Sequence, residues 1–123
     1  MKRLMLMMLF SLISLTTFAQ TEWFTATEFA IKVDNEWSDW IDCDISVKID
    51  IGNDKVTIYS NEVQIYRIID KVDPPRDKNG TQVAFSMIDQ DGDRGMFRIR
   101  KQYDGAIQIY VDFSDISWVY NIE

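Results

Sequence analysis

The segment "WIDCDISVKIDIG", residues 40–52, alternates between apolar and polar residues over eleven consecutive positions. The odd positions from Ile41 to Ile51 are all apolar, whereas the even positions from Asp42 to Asp50 are all polar or charged. In an extended strand, successive side chains point to opposite faces of the sheet. The segment therefore predicts a half-buried antiparallel strand with one apolar face and one charged face.

The same alternation recurs along the chain between short turn-forming stretches. Apolar residues occupy every second position around residues 56–58, 83–87, 97–99, 107–113 and 116–122, and around 23–33 apart from two threonines, while residues 62–72 carry them on both parities. Beyond the N-terminal segment, no stretch of ten residues has helical spacing. Short connections favour antiparallel neighbours. The sequence thus predicts an all-β domain: a single antiparallel meander of about eight strands, arranged as a small barrel or a sandwich.

The first nineteen residues have the layout of a secretory signal peptide. Lys2 and Arg3 precede an apolar run from Leu4 to Leu15, and Ala19 ends a stretch with small residues at the positions that signal peptidase requires. The run is shorter than the ~20 residues of a spanning helix. We therefore predict a signal peptide at residues 1–19 and one mature domain at residues 20–123. The mature chain is expected to be periplasmic or extracellular, without a membrane span.

The charge balance limits the partners of such a domain. The chain has 13 basic and 20 acidic residues, for a net charge of −7, and cleavage after Ala19 would remove two of the basic residues and leave −9. A chain this acidic, without a long basic run, argues against nucleic acids and anionic membrane surfaces. The expected partners are a protein, a peptide or a carbohydrate.

Histidine and cysteine usage limits the chemistry further. The absence of histidine excludes Ser-His and Cys-His catalysis within one chain, as well as His-ligated metal sites. Cys43 is the only cysteine, so no internal disulfide is possible, and its parity predicts a buried, inert thiol. A metal site would need carboxylate and carbonyl oxygens, which suit calcium.

Aromatic residues fall on both predicted faces of the strands. The parity predicted to be buried holds Trp23, Phe29, Trp37, Phe85, Phe97, Phe113, Trp118 and Tyr120. The opposite parity holds Trp40, Tyr59, Tyr66 and Tyr110. Aromatic rings beside carboxylates suit sugar or peptide recognition, although exposed aromatic residues are also common on strand surfaces. The predicted ligand-binding residues are Trp40, Asp42, Asp44, Tyr59, Tyr110 and Asp112.

Three aspartates at alternate positions, Asp89, Asp91 and Asp93, resemble the start of a calcium loop. The later positions of that loop do not match, because Arg94 stands where a glycine is needed and Arg100 where a carboxylate is needed. We therefore predict a hairpin turn here, in which Gly92 and Gly95 take positive φ. No cofactor is expected, and calcium at these aspartates is kept as a lesser alternative.

These patterns predict an exported, non-enzymatic binding or interaction module, and no catalytic residue is assigned. One alternative is a small carboxylate-dependent hydrolase, because Asp42 and Asp44 project from the same side of one strand, about 6.5–7 Å apart at Cα. The other alternative is an accessory domain that calcium stabilises.

Overall fold

The computed structural model describes residues 21–74 and 76–123. Within these residues the chain forms nine strands and one short 3-10 helix. The strands are β1 (Thr21–Val33), β2 (Glu36–Trp37), β3 (Ile41–Asp50), β4 (Lys55–Ile58), β5 (Gln64–Val72), β6 (Gly80–Ile88), β7 (Arg94–Gln102), β8 (Ile107–Asp112) and β9 (Ile116–Ile122). The 3-10 helix, Ile51–Asn53, joins β3 to β4. The predicted signal peptide lies outside the described residues, and no helix within them is long and apolar enough to cross a membrane.

The strands form one closed antiparallel barrel. Each strand from β3 to β8 pairs with the next along the chain, and β1 closes the barrel by pairing with both β3 and β9. Eight strands make up the barrel wall, because β2 pairs with β1 alone. The predicted all-β meander is confirmed. The choice between barrel and sandwich, which the alternation left open, is settled by the β1–β9 ladder, a pairing between the two ends of the domain.

The barrel interior is filled with the apolar residues predicted to face inward. Val47 and Ile49 of β3 are fully buried, as are Phe97 and Ile99 of β7. They pack in one cluster with inward residues of the other long strands, which include Val56, Ile58, Val83, Phe85, Met87, Ile107, Ile109, Val111 and Tyr120. Phe29, Phe113 and Trp118 are partly buried and pack against this cluster. The barrel is therefore a packed core through most of its length.

In strand β1, the prediction of which side chains face inward is partly wrong. Trp23 was expected inside, but its side chain is 51% exposed, and Phe24 and Ala26 face the core instead. The pairing of β1 shifts against both β3 and β9 between Ala26 and Glu28. This bulge at Thr27 reverses the parity within the strand, since an extra residue moves every later side chain to the other face. Strict alternation across residues 23–33 was therefore the wrong assumption.

Two further aromatic residues occupy the opposite face from the predicted one. Trp37 is exposed, because Asp34 and Asn35 adopt positive φ and fold β2 back to pair with the end of β1, with Trp37 opposite Lys32. Tyr66 was expected outside but is 3% exposed, since it pairs with the inward-facing Val56. A register shift follows between Ile68 and Asp70. Val63 and Ile69, on the other parity of this segment, are exposed, so its second set of apolar residues faces outward.

Candidate binding site at the open end of the barrel

The wall of the barrel is incomplete where β3 should meet β4. Their ladder covers only Val47–Asp50 and Lys55–Ile58, and one further hydrogen bond joins the Tyr59 N–H to the Ser46 carbonyl at 2.9 Å. Beyond this point the chain leaves β3 in a loop, residues 59–63, before β5 begins. Within the described part of the chain, residues 41–45 of β3 have no ladder partner on this side. Ile41, predicted to be inward, is consequently exposed.

This gap opens a cleft of about 640 Å³ at one end of the barrel. Its walls are residues 42–45 of β3 and residues 59–62 of the loop, and its inner side is formed by Phe29, Gln64, Tyr66 and Trp118. A smaller apolar pocket of about 260 Å³ adjoins the cleft and shares Phe29, Ile45, Ser60, Gln64 and Trp118 with it. The cleft is thus polar at its outer edge and largely aromatic at its inner end.

A hydrogen-bonded group of neutral side chains forms the inner end of the cleft. The Gln64 side-chain amide donates to Ser60 Oγ at 2.9 Å and to the Tyr120 hydroxyl at 3.3 Å, and it accepts a hydrogen bond from the Tyr66 hydroxyl. Burial raises the pKa of both Tyr66 and Tyr120 above the ordinary value of a phenol. Both phenols are therefore uncharged at neutral pH and bond as hydroxyls rather than as phenolates.

The outer edge of the cleft is acidic. Asp42 and Asp44 line one wall and Glu62 lines the other, all three residues are exposed, and no lysine or arginine is among the lining residues. Between the aspartates, the Cys43 thiol donates to the Ala26 carbonyl at 3.5 Å. Burial and then the charges of Asp44, Asp42 and Glu28 raise the pKa of this thiol. Cys43 therefore stays protonated at neutral pH, as a poor nucleophile.

The structure brings together three of the six predicted ligand-binding residues. Asp42, Asp44 and Tyr59 all line the cleft. The Tyr59 ring also stacks on Trp23 on the outer surface, with ring centroids 5.8 Å apart, so the corrected position of Trp23 extends the aromatic surface beside the cleft. Trp40 is exposed just before β3 and is not among the residues that line the cleft.

The remaining two residues, Tyr110 and Asp112, lie on the outer face of β8, where they already contact other side chains of the protein. Arg98 Nε donates to Asp112 Oδ2 at 2.7 Å, and the Arg98 guanidinium lies 4.2 Å from the centre of the Tyr110 ring. Trp37 meets the same ring edge-on, with centroids 6.5 Å apart. These contacts make Tyr110 and Asp112 part of the packing of the outer wall.

Comparisons with known proteins add nothing to this description. No protein family, curated protein or solved structure matches the chain.

The three aspartates after β6 form a hairpin turn, as the sequence predicts. Asp89 Oδ1 accepts hydrogen bonds from the N–H groups of Asp91 at 2.9 Å and Asp93 at 2.8 Å, and Gly92 has φ of +88°. Gly95 does not have positive φ, contrary to the prediction; it lies within β7, where an added Cβ would be 2.7 Å from the Asp112 carbonyl oxygen. Among the described residues, no three acidic or thiol side chains are grouped to hold a metal ion.

Sequence patterns did not reveal the inner end of the cleft. Gln64 belongs to a region without clear alternation, and Trp118 was assigned only to the core. Tyr66 was placed on the wrong face. One feature of the sequence agrees with the observed register. Val56 and Ile58 have inward parity, and a five-residue loop after Ile58 is compatible with Tyr66 lying opposite Val56. Fixing that register requires the loop geometry, which residue types alone do not define.

Proposed function

We propose that this protein is an exported, non-enzymatic binding module that takes a positively charged ligand into the cleft at the open end of its barrel. The observation that carries the proposal is the composition of the cleft. Three carboxylates line its outer edge, aromatic rings form its inner end, and lysine and arginine are missing from its lining. Export is supported by the signal-peptide pattern of residues 1–19.

Organic cations fit this combination of groups better than neutral or anionic ligands do. Carboxylates attract an ammonium or guanidinium group, and aromatic faces attract the same group through their quadrupole. The rings of Tyr59, Tyr66 and Trp118 line the same cleft as the three carboxylates. The net charge of −7 would also raise the association rate of a cation through long-range attraction.

The two alternative functions have less support from the geometry. A carboxylate-dependent hydrolase needs one acid in a partly apolar setting, whereas Asp42 and Asp44 both lie exposed on the rim. A calcium-stabilised domain would need free carboxylate oxygens at Asp89, Asp91 and Asp93, but Asp89 Oδ1 already accepts two backbone hydrogen bonds.

Calorimetric titration with n-butylguanidinium tests the proposal. We expect saturable binding with a dissociation constant of ~1 mM, the scale for a ligand of this size. Replacing Asp42→Asn and Asp44→Asn together should weaken binding about five-fold or more, because two attractive charges are lost at short range. The matched control, Asp54→Asn with Asp73→Asn, removes the same charge just before β4 and just after β5, at the opposite end of the barrel, and should leave binding unchanged.

Two neutral ligands complete the design. n-Butylurea has nearly the same shape without the charge, and maltose represents a carbohydrate. Neither should bind at concentrations that saturate the protein with n-butylguanidinium. Absence of guanidinium binding, equal binding of the urea, or stronger binding of maltose would each refute the proposed cation site.

A further inference from the structure

We propose that the ligand of the cleft is an extended basic peptide, which adds as a strand beside residues 41–45 of β3. Its cationic side chains would lie next to Asp42 and Asp44, and its apolar side chains would lie next to Cys43 and Ile45. This inference rests on the proposed function, because it names the class of cation that the cleft receives.

The first support is the free edge of β3. The β3–β4 ladder ends at Val47, and the bond from Tyr59 N–H to the Ser46 carbonyl is the last connection before the cleft. The strand continues to Ile41 in pairing with β1, so it stays extended, and no strand among residues 21–74 and 76–123 pairs with its other side. An extended segment with unpaired N–H and C=O groups is a template for another strand. Five residues of such an edge span about 17 Å.

The second support is the space beside this edge. The cleft of about 640 Å³ lies directly between β3 and the 59–63 loop, where a further strand would run. Its lining includes residues of both walls, so a peptide there would contact side chains on both sides as well as the backbone of β3. Backbone pairing would fix the register of the peptide, and the side chains would select its sequence.

The alternation of β3 defines the sequence that fits. Asp42 faces outward, since it is paired with Glu28 on the outer face of β1, and Asp44 is exposed two residues later. Cys43 and Ile45 pack against the core cluster. Opposite charges in neighbouring strands stabilise a sheet, and like charges opposite each other destabilise it. The matching peptide therefore alternates cationic and apolar residues.

The same charges argue against a second copy of the chain as the occupant. Pairing two β3 edges would bring the aspartates of one copy next to those of the other. The exposed β2 strand, with Glu36 beside Trp37, is also acidic. Because like-charged side chains in adjacent strands repel, the edge is protected from self-pairing and remains open to a basic strand.

Fluorescence anisotropy with labelled peptides tests the inference. The probe is a capped peptide of about seven residues that alternates lysine and valine, long enough to cover the free edge. We expect it to bind at least tenfold more tightly than n-butylguanidinium, and a glutamate–valine peptide should not bind. N-methylation at alternate backbone nitrogens, made in both registers, should weaken binding at least tenfold in one register, because those N–H groups no longer reach β3.

Variants of the protein locate the binding edge. Asp42→Asn with Asp44→Asn should weaken binding of the lysine–valine peptide about tenfold, whereas Asp54→Asn with Asp73→Asn, at the opposite end of the barrel, should not. If both N-methylated peptides bind as tightly as the parent, or if the parent binds no better than n-butylguanidinium, strand addition is wrong while the proposed cation site stands. If neither cation binds, both proposals fall. A different result would assign the edge to a second copy and overturn the inference. In that case the protein would dimerise with increasing concentration, the peptide would not disrupt the dimer, and Asp42→Asn with Asp44→Asn would strengthen it.

Discussion

The rim of the cleft and the outer face of β8 look alike in sequence and differ in structure. Each presents an aromatic residue near an aspartate on an outward parity: Tyr59 near Asp44 at the cleft, and Tyr110 near Asp112 on β8. At β8, Arg98 of the neighbouring strand pairs with Asp112 and covers Tyr110. At the cleft, no basic residue is among the lining residues.

The neighbouring strands explain this difference. The ladders of β7 with β8 and of β8 with β9 are continuous, so polar side chains on this wall meet partners in register. One row connects Arg100, Gln108, Asn121 and Glu28 by hydrogen bonds across four adjacent strands. Asp42 continues that row next to Glu28 and faces the cleft beyond it. A carboxylate pattern thus indicates an open site only where the sheet itself is interrupted.

The largest expected effect contrasts the packed wall with the open end. Phe97 is completely buried in the barrel, and Phe97→Ala should lower the free energy of unfolding by about 3–5 kcal/mol. Trp118 is partly buried beside the cleft, so Trp118→Ala enlarges a space that water already reaches and should cost about half as much. Urea denaturation of both variants measures the difference. Equal losses would mean that the open end is as tightly packed as the wall.

A smaller effect distinguishes Asp112 on β8 from Asp42 and Asp44 on the rim of the cleft. Arg98→Met removes a partly exposed, two-pronged ion pair with Asp112 and should cost about 1–2 kcal/mol. Asp42→Asn with Asp44→Asn should change stability by less than about 0.5 kcal/mol, because these side chains make no ion pair within the described structure. Chemical denaturation at neutral pH compares the two. A large loss from the aspartate substitutions would show that the rim has a structural role.

Stability should fall in acid because of the carboxylates that form ion pairs, such as Asp77. Hydrogen bonds from Arg100 and from the Asn79 N–H lower the pKa of Asp77 to about 2. A lowered carboxylate pKa stabilises the fold above the unfolded value, near 3.9, and this contribution is lost as the pH falls toward the folded value. Wild type should therefore exceed Asp77→Asn in stability at pH 7, and the gap should close between pH ~4 and ~2. Thermal melts of wild type and Asp77→Asn across this range measure the gap, with Asp91→Asn as the control. A stability gap that stayed constant with pH would contradict the assigned role of Asp77.

The smallest effect concerns the turn at Asp89. Excess calcium, at about 1 mM, should change the melting temperature by less than about 3 °C relative to chelator. A site of ~10 μM affinity would instead add about 2.7 kcal/mol and raise the melting temperature by roughly 10 °C. A rise of that size that disappeared on Asp91→Asn would restore the calcium alternative.

The strands and most of the core could be predicted from the sequence because they depend on local alternation. Phe97, Ile99, Ile109 and Val111 face inward as their parity indicates. The errors at Trp23 and Tyr66 arise where a register shift or a hairpin loop resets the parity, which single-strand patterns do not reveal. Closure of the barrel depends on β1 meeting β9, a contact between distant segments.

The site was predictable only in part, for a related reason. Asp42, Asp44 and Tyr59 stand out from their own strands, and the structure places them at the cleft. Tyr110 and Asp112 stand out in the same way, but Arg98 engages both across the sheet. Whether an outward carboxylate is free to bind a ligand depends on the side chains of the next strand. The alternation within one strand does not show which side chains those are.

A nitrogen–proton correlation NMR titration with the lysine–valine peptide tests the central claim most directly, because it observes both faces in one experiment. The account predicts saturable shift changes in the amide signals of residues 41–46 and 59–64, with little change at Arg98, Tyr110 and Asp112. Shift changes centred on those three residues, or spread evenly over the acidic surface, would contradict it.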